Sequence, residues 1–234
     1  MLLHITRHGQ VLPAGADTWS HADYPPGDPP LSVRGNRQAQ LLGERLDATG
    51  FDGRIYCSPY RRTVETACQV AEVVDAQVRP AVPLREIVKK AEQMRGFVGM
   101  TGQQLDRLHR RVSVAADFPD EWWTTHAETD NEVEARVGPL VDHLLDSDEG
   151  DVLLVGHGAT AGGATDHLLR RCAPEQITVP TPGWNCALTT FRCADTVELV
   201  RRMDTAHLPE DHVTSNAQSR ARVLAAETKN GAVR

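Results

Sequence analysis

Lysine is nearly absent from this 234-residue chain: of 25 basic residues only Lys89, Lys90 and Lys229 are lysines. The rest are arginines, spread in the way a codon bias produces, so any functional arginine must be argued from its position. Aromatic residues are also scarce, at 5%. No apolar run approaches the ~20 residues that cross a bilayer as a helix. The start, Met1 to Ile5, is too short for the core of a signal peptide before Arg7 interrupts it. The five cysteines are an odd number without a CxxC pair, which argues against a disulfide framework or a zinc site and suits reduced thiols in the cytoplasm. Excess positive charge is missing too. A net charge of -7 leaves no basic face for general nucleic-acid binding, although a small positive pocket for an anion fits within it. What remains, 40% hydrophobic and 24% charged, is the composition of a globular protein, and the length suits a single domain, 1–234, carrying an insertion.

The hydrophobic pattern alternates between strand-like and helix-like stretches. Met1 to Thr6 is a short apolar run expected as a buried strand. The Pro, Gly and Asp-rich stretch Gln10 to Pro30 reads as a long loop. Ser32 is expected to cap a helix reaching about Gly50, with Ala39, Leu42 and Leu46 on one face. A strand is expected over Arg54 to Cys57, then a helix with Ser58 as N-cap and Pro59 at N1; Val64, Ala67, Ala71 and Val74 give it an apolar face. From about 89 to 126 the alternation breaks, which predicts an insertion over one end of the sheet, with Trp122 and Trp123 packing it down. Thr129 caps a further helix bearing Val133, Val137, Leu140 and Leu144. Asp151 to Val155 is the clearest buried strand, followed by a helix from Ala159 to about Arg171. Ala187 to Phe191 and Val197 to Val200 are expected as a final pair of strands. A polar tail begins at about 208, frayed from Lys229 onward. Such alternation predicts an α/β fold with a mainly parallel sheet.

Two strand ends look alike in design: Ile5-Thr6-Arg7-His8-Gly9 and Leu154-Val155-Gly156-His157-Gly158. Ligands of parallel sheets sit off the C-terminal ends of the strands. If these strands are neighbours, His8 and His157 face one pocket. Gly9 and Gly158 let backbone approach a ligand there, and the helix starts supply N–H groups for an anion. Arg62 falls in the first turn of a helix, where the macrodipole disfavours a cation unless an anion sits beside it. Either histidine alone is more often structural; two such strand ends in one chain, with an arginine at a helix start, point to an anion pocket.

In this order Arg7-His8-Gly9, Leu31-Ser32-Val33-Arg34-Gly35 with Gln38-Ala39, Ser58-Pro59-Tyr60-Arg61-Arg62 with Thr66-Ala67, Leu84-Arg85-Glu86 and Gly156-His157 resemble the histidine phosphatase superfamily. The likeness runs from residue 1 to about 191. It implies the phosphoglycerate mutase-like fold, a three-layer α/β/α sandwich. It also implies roles: His8 as nucleophile forming a phosphohistidine, Arg7, Arg62 and His157 as binders of the equatorial oxygens, and Glu86 as proton donor and then base. Neither a cofactor nor a metal is implied. The chain departs from the family pattern near Glu86. Val98 stands where a second glutamate is usual, which keeps Glu92 in reserve as the acid and Asp28 as a more remote choice.

The mutases of this fold carry Glu-Ser and Trp-Asn soon after Arg-His-Gly. Here Gln10-Val11-Leu12-Pro13 follows, and Trp19-Ser20 lies further on, so a phosphomonoester phosphatase is expected ahead of a mutase. Gln10, Gly158 and Asn185 are the expected substrate contacts, although turn-capping is an equal role for Asn185. A phosphoryl transferase and an inactive phosphate-binding module are the alternatives. The expected partner is a small phosphorylated substrate, with neither nucleic acid nor membrane involved and a homodimer left open.

Overall fold

The computed structural model describes residues 1–12, 27–147, 150–179 and 181–215. The expected loop at 13–26, with Trp19 and Ser20, and the frayed end from Lys229 lie outside the described residues.

Six strands form one sheet: β1 (Leu2–Arg7), β2 (Gly53–Cys57), β3 (Val78–Pro80), β4 (Asp151–Gly156), β5 (Leu188–Cys193) and β6 (Val197–Asp204). Their order is β3-β2-β4-β1-β5-β6. The first four of that order are mutually parallel, while β5 runs antiparallel to β1 and β6 antiparallel to β5. The sheet is thus mainly parallel, as the alternation predicts. The three-residue β3 escapes the sequence pattern because it is short and ends in a proline, too little for a period-2 signal.

Side chains alternate across the sheet and give two cores. On one face α1 (Val33–Asp47) and α2 (Arg61–Val74) bury Ala39, Leu42, Leu46, Val64 and Ala71 against Ile55, Leu153 and Val155. On the other, α4 (Asp130–Leu145) and α5 (Gly158–Cys172) bury Val133, Val137, Val141 and Leu168 against Leu3, Ile5, Val152 and Leu154. This is the three-layer α/β/α sandwich. Among the described residues no helix is long and apolar enough to cross a membrane.

Two caps behave as expected. Ser32 Oγ accepts the Gly35 N–H at 3.0 Å, and Thr129 with Glu132 forms a capping box on α4. Ser58 does not cap α2. That helix starts two residues later, with Tyr60 at the N-cap position and no side-chain cap of its own. The Arg61 N–H is instead taken by Asp28 Oδ2 at 2.9 Å, a carboxylate from a distant loop doing what a local serine was expected to do.

The segment 89–126, expected as an insertion, contains a 3-10 turn at Ala91–Met94 and the short α3 (Gly102–Asp106). Trp122 is buried and donates its Nε1–H to the Met100 carbonyl at 2.8 Å. It stacks edge-on against Tyr60, with Phe97 completing the cluster. The insertion is therefore pinned to the start of α2, at the C-terminal end of the parallel strands. The expected polar tail is packed at first: Leu208 and Thr214 are buried, and the chain to Ser215 returns beneath the β1 end.

Candidate active site

Register brings the two histidines together. β1 and β4 pair with Arg7 opposite Gly156, so both strands finish level. The next residue of each is a histidine, and the two rings lie 5.4 Å apart, edge to face. Glycine is required just after His8, because the loop presses on the first turn of α1. A Cβ at Gly9 would stand 2.6 Å from the Gly35 carbonyl, and one at Gly35 only 2.0 Å from the Gln10 carbonyl. Neither contact leaves space for a methyl group.

His8 is buried, and its Nδ1 lies 2.7 Å from the Gly9 carbonyl oxygen. A carbonyl only accepts, so Nδ1 carries the proton and the Nε2 lone pair is left for chemistry. Burial pushes the imidazole well below its ordinary value, and the charges of Arg7 and Arg62 push it the same way. His8 is therefore neutral at physiological pH, as a nucleophile must be.

Arg62 is also buried. Nη1 reaches Asp28 Oδ1 and the Gly27 carbonyl, each at 3.2 Å, and Nη2 lies 3.1 Å from His157 Nδ1 and 3.6 Å from Glu86 Oε2. Its guanidinium carbon sits 4.5 Å over the Tyr60 ring. Arg7 Nη1 donates to the Gly183 carbonyl at 2.8 Å, while its buried Nε has no hydrogen-bond partner among the described residues. A phosphate oxygen would satisfy that donor.

His157 is fully buried. Its Nε2 is 2.8 Å from Ser58 Oγ and its Nδ1 is 3.2 Å from Glu86 Oε2. Burial lowers it to about 4 despite the carboxylate beside it. Glu86 is held in place by its neighbours. Arg85 makes a two-pronged contact with Glu128 at 2.6 and 2.9 Å, and Arg136 ties Glu128 to the Pro83 carbonyl. Burial acts to raise the Glu86 carboxyl, but His157 and Arg62 outweigh it and hold it at about 2. The side chain is 30% exposed, so it faces the cleft.

Arg7, Tyr60, Arg62 and Glu86 line a cleft of about 530 Å3 at the strand ends, with His157 in contact with Arg62 and Glu86, and His8 against His157. Gly158, the first residue of α5, lies on its wall. Asn185 does not touch the cleft: its Nδ2 donates to the His8 carbonyl at 2.8 Å and its Oδ1 accepts from Thr214 at 3.1 Å. It holds the His8 segment through the backbone. Gln10 stands apart as well. Its N–H donates to Gln38 Oε1 at 2.8 Å and its carbonyl accepts from Ser32, a turn that directs the residue to a separate groove with Val33 and Arg34. Glu92 is exposed on the 3-10 turn and does not line the cleft. Asp28, 1% exposed and bound to Arg62, is built into the scaffold.

Several supporting residues carry no local signal. Ser58 orients His157, and Thr66 accepts the Gly9 N–H at 3.0 Å while donating to the Arg62 carbonyl at 2.7 Å. Fully buried Gln38 joins Gln10 to Thr214. Gln38 and Thr66 belong to the segments that carry the family likeness, which is the one sequence clue to them. Among the described residues no three His, Cys, Asp or Glu side chains are grouped as a metal would require.

The buried histidines make acid stability a measurable consequence. His4 and His157 are each lowered to about 4, both mainly by burial, and His8 is lowered further than the ordinary range. In the unfolded chain these rings titrate near 6.5, so below that pH the unfolded state takes up protons that the native state refuses. Stability is then full above pH 6.5 and falls as pH drops toward 4, by about 3 kcal/mol for each of His4 and His157. The Glu86 contribution disappears only below its ordinary value of 4.5 and does not offset this. Denaturant midpoints measured from pH 7.5 to 4.5 should begin to fall near pH 6.5; a flat profile down to pH 5 would contradict the buried neutral state.

Comparison with known proteins bears on the family and the fold. The family model of the histidine phosphatase superfamily (branch 1) matches residues 3–205. Phosphoserine phosphatase 1 of Hydrogenobacter thermophilus is 45% identical over 51 residues, 22% of this chain, and the match spans only 24% of that relative's length. Among solved structures, the ecdysone phosphate phosphatase of the silkworm Bombyx mori, in complex with tungstate, superposes with a TM-score of 0.67 at 21% identity. That match covers 92% of this chain and 96% of that one. A mycobacterial glucosyl-3-phosphoglycerate phosphatase gives 0.58 at 26% identity, over 87% and 99% of the two chains. A phosphoserine phosphatase of Entamoeba histolytica gives 0.58 at 20%, over 89% and 99%.

Proposed function

The chain belongs to the histidine phosphatase superfamily, and from that premise we propose that it is a phosphomonoester hydrolase in which His8 carries the phosphoryl group between substrate and water. The observation that carries this reading is the state of His8: neutral, fixed in one tautomer by Gly9, and flanked by the cations Arg7 and Arg62. A merely phosphate-binding pocket has no use for a histidine kept unprotonated between two arginines.

The steps follow from the placement. The phosphoryl oxygens lie against Arg7, Arg62 and His157, where planar guanidinium groups hold negative charge through the transition state. His8 Nε2 attacks phosphorus as the bond to the ester oxygen breaks, and Glu86 protonates that oxygen as the alcohol leaves. Glu86, again a carboxylate, takes a proton from water as the water oxygen attacks phosphorus. The P–N bond breaks, and phosphate and neutral His8 are released. In the empty cleft Glu86 is ionised, so it must gain its proton as substrate binds. A phosphate dianion supports this by drawing the hydrogen bonds of Arg62 and His157 away and placing negative charge beside the carboxylate.

Glu86→Gln is the test of that role. With alkyl phosphates its kcat/KM, which reads the first step, is expected to fall by about 10²–10⁴. With p-nitrophenyl phosphate, whose leaving phenolate needs no proton, the loss in kcat/KM should be much smaller, while kcat still falls because the second step loses its base. Equal losses with both substrates would move the acid elsewhere. The absence of the mutase residues after Gly9 favours water as acceptor over a second substrate hydroxyl. The five cysteines are all free thiols, which supports a reducing compartment such as the cytoplasm.

A further inference from the structure

The cleft over His8 continues past the phosphate site. A second chamber of about 350 Å3 opens from its wall, and the two share Arg7, Gly158, Gly162, Asp166, Thr181 and Gly183. Behind this rim the walls are the more apolar part, with Ile5 of β1, Ala161 of α5, and Ile177 and Val179 of the segment that follows α5; Thr165, Thr189 and Arg202 also line them, and both Nη atoms of Arg202 are already donated to the Gln176 and Val179 carbonyls. The rim glycines of α5 are not imposed by packing. A Cβ added at Gly158 or Gly162 meets nothing within 4 Å, so their effect is to keep a passage open. Asp166 stands one turn beyond Gly162 on the same helix face. No hydrogen bond or ion pair engages its carboxylate among the described residues, and burial with the nearby charge of Glu134 raises its pKa. A carboxylate so placed disfavours a second anion on whatever passes the rim.

The structure assigns this chamber to the alcohol half of the substrate: the class it fits is a phosphomonoester of an uncharged alcohol with an apolar body, in preference to a carboxylated one. The assignment rests on the phosphatase reading above. Area burial, not hydrogen bonding, supplies the selectivity, so it should scale with carbon number.

The experiment compares ethyl, butyl and hexyl phosphate, in which the bond broken is the same and only the chain differs. Each methylene withdrawn from water is worth up to about fourfold in affinity. The kcat/KM of the wild-type protein is expected to rise at least about tenfold from ethyl to hexyl phosphate, and 3-phosphoglycerate should be a poorer substrate than ethyl phosphate. Gly162→Leu places a good helix former in the passage and should bring the hexyl-to-ethyl ratio close to one. Asp166→Asn should raise the 3-phosphoglycerate rate relative to ethyl phosphate. Hydrolysis of p-nitrophenyl phosphate without any gain along the alkyl series overturns the chamber assignment and leaves the phosphatase reading standing. No hydrolysis of any of these esters overturns both. Should Gly162→Leu fail to fold, the wild-type series decides alone.

Discussion

His8→Ala is expected to reduce hydrolysis by on the order of 10⁴ or more while leaving the protein folded and able to hold phosphate. The two halves of that expectation have separate causes. On the proposed mechanism turnover is lost because Nε2 forms the bond to phosphorus, and neither water nor another side chain takes its place at the strand end. Folding survives because the His8 side chain makes one hydrogen bond, to the adjacent Gly9 carbonyl. The segment itself is held by backbone: His8 N–H to Gly156, Asn185 to the His8 carbonyl, and Gly9 N–H to Thr66. Removing a buried imidazole should even flatten part of the acid destabilisation described above. Calorimetry with inorganic phosphate and steady-state rates with p-nitrophenyl phosphate read the two halves independently. Retained turnover would place the nucleophile elsewhere.

Arg62→Ala should cost both activity and stability. The guanidinium spans Asp28, the Gly27 carbonyl, His157 and Glu86 at once. Its loss removes a charge from the transferring phosphoryl group, worth about 10²–10³ in kcat. It also strands Asp28, a carboxylate 1% exposed whose pKa burial already raises. Breaking one side of such a buried pair costs about 3–5 kcal/mol. Arg62→Lys should rescue little, since a point charge cannot bridge partners that lie on two edges of a planar fork. The double variant Arg62→Ala, Asp28→Asn separates the effects: it should regain most of the stability and none of the rate. Denaturant unfolding alongside kinetics checks this. A double variant as unstable as Arg62→Ala alone would mean that Asp28 is not the cause.

How much of this was legible from residues alone depends on the range of each signal. His8, His157 and Arg62 were legible because each stands at a fixed offset from an element whose own pattern is strong: the apolar runs of β1 and β4 and the amphipathic α2. The likeness of Leu84-Arg85-Glu86 pointed to Glu86, and the structure places it against His157. Ser58 shows the limit of local reading. A serine before a proline is a good cap by propensity, yet here its hydroxyl meets His157, ninety-nine residues on, and a loop aspartate caps the helix instead. The chain from Gln10 through Gln38 and Thr214 to Asn185 and the His8 carbonyl is invisible to periodicity for the same reason. Its members are far apart in sequence, and all four hydrogen bonds that join them run from or to a side chain of no fixed structural preference. Gln10 is adjacent in sequence to the Arg7-His8-Gly9 segment, yet where Gly9 packs on Gly35 it lines the groove of Val33 and Arg34. The polar stretch after His207 hid Leu208 and Thr214, two buried residues too few to register as a pattern.

The central claim is that His8 becomes covalently phosphorylated during turnover. Rapid acid-free quenching of the protein with a ³²P-labelled phosphomonoester, followed by peptide mapping, tests it directly. The account predicts label on the peptide containing His8, stable in base, lost in acid, and, with an aryl phosphate as donor, accumulating further in Glu86→Gln, whose second step lacks its base. A wild-type protein that turns over substrate yet never carries label at His8, in any quench interval, would contradict it.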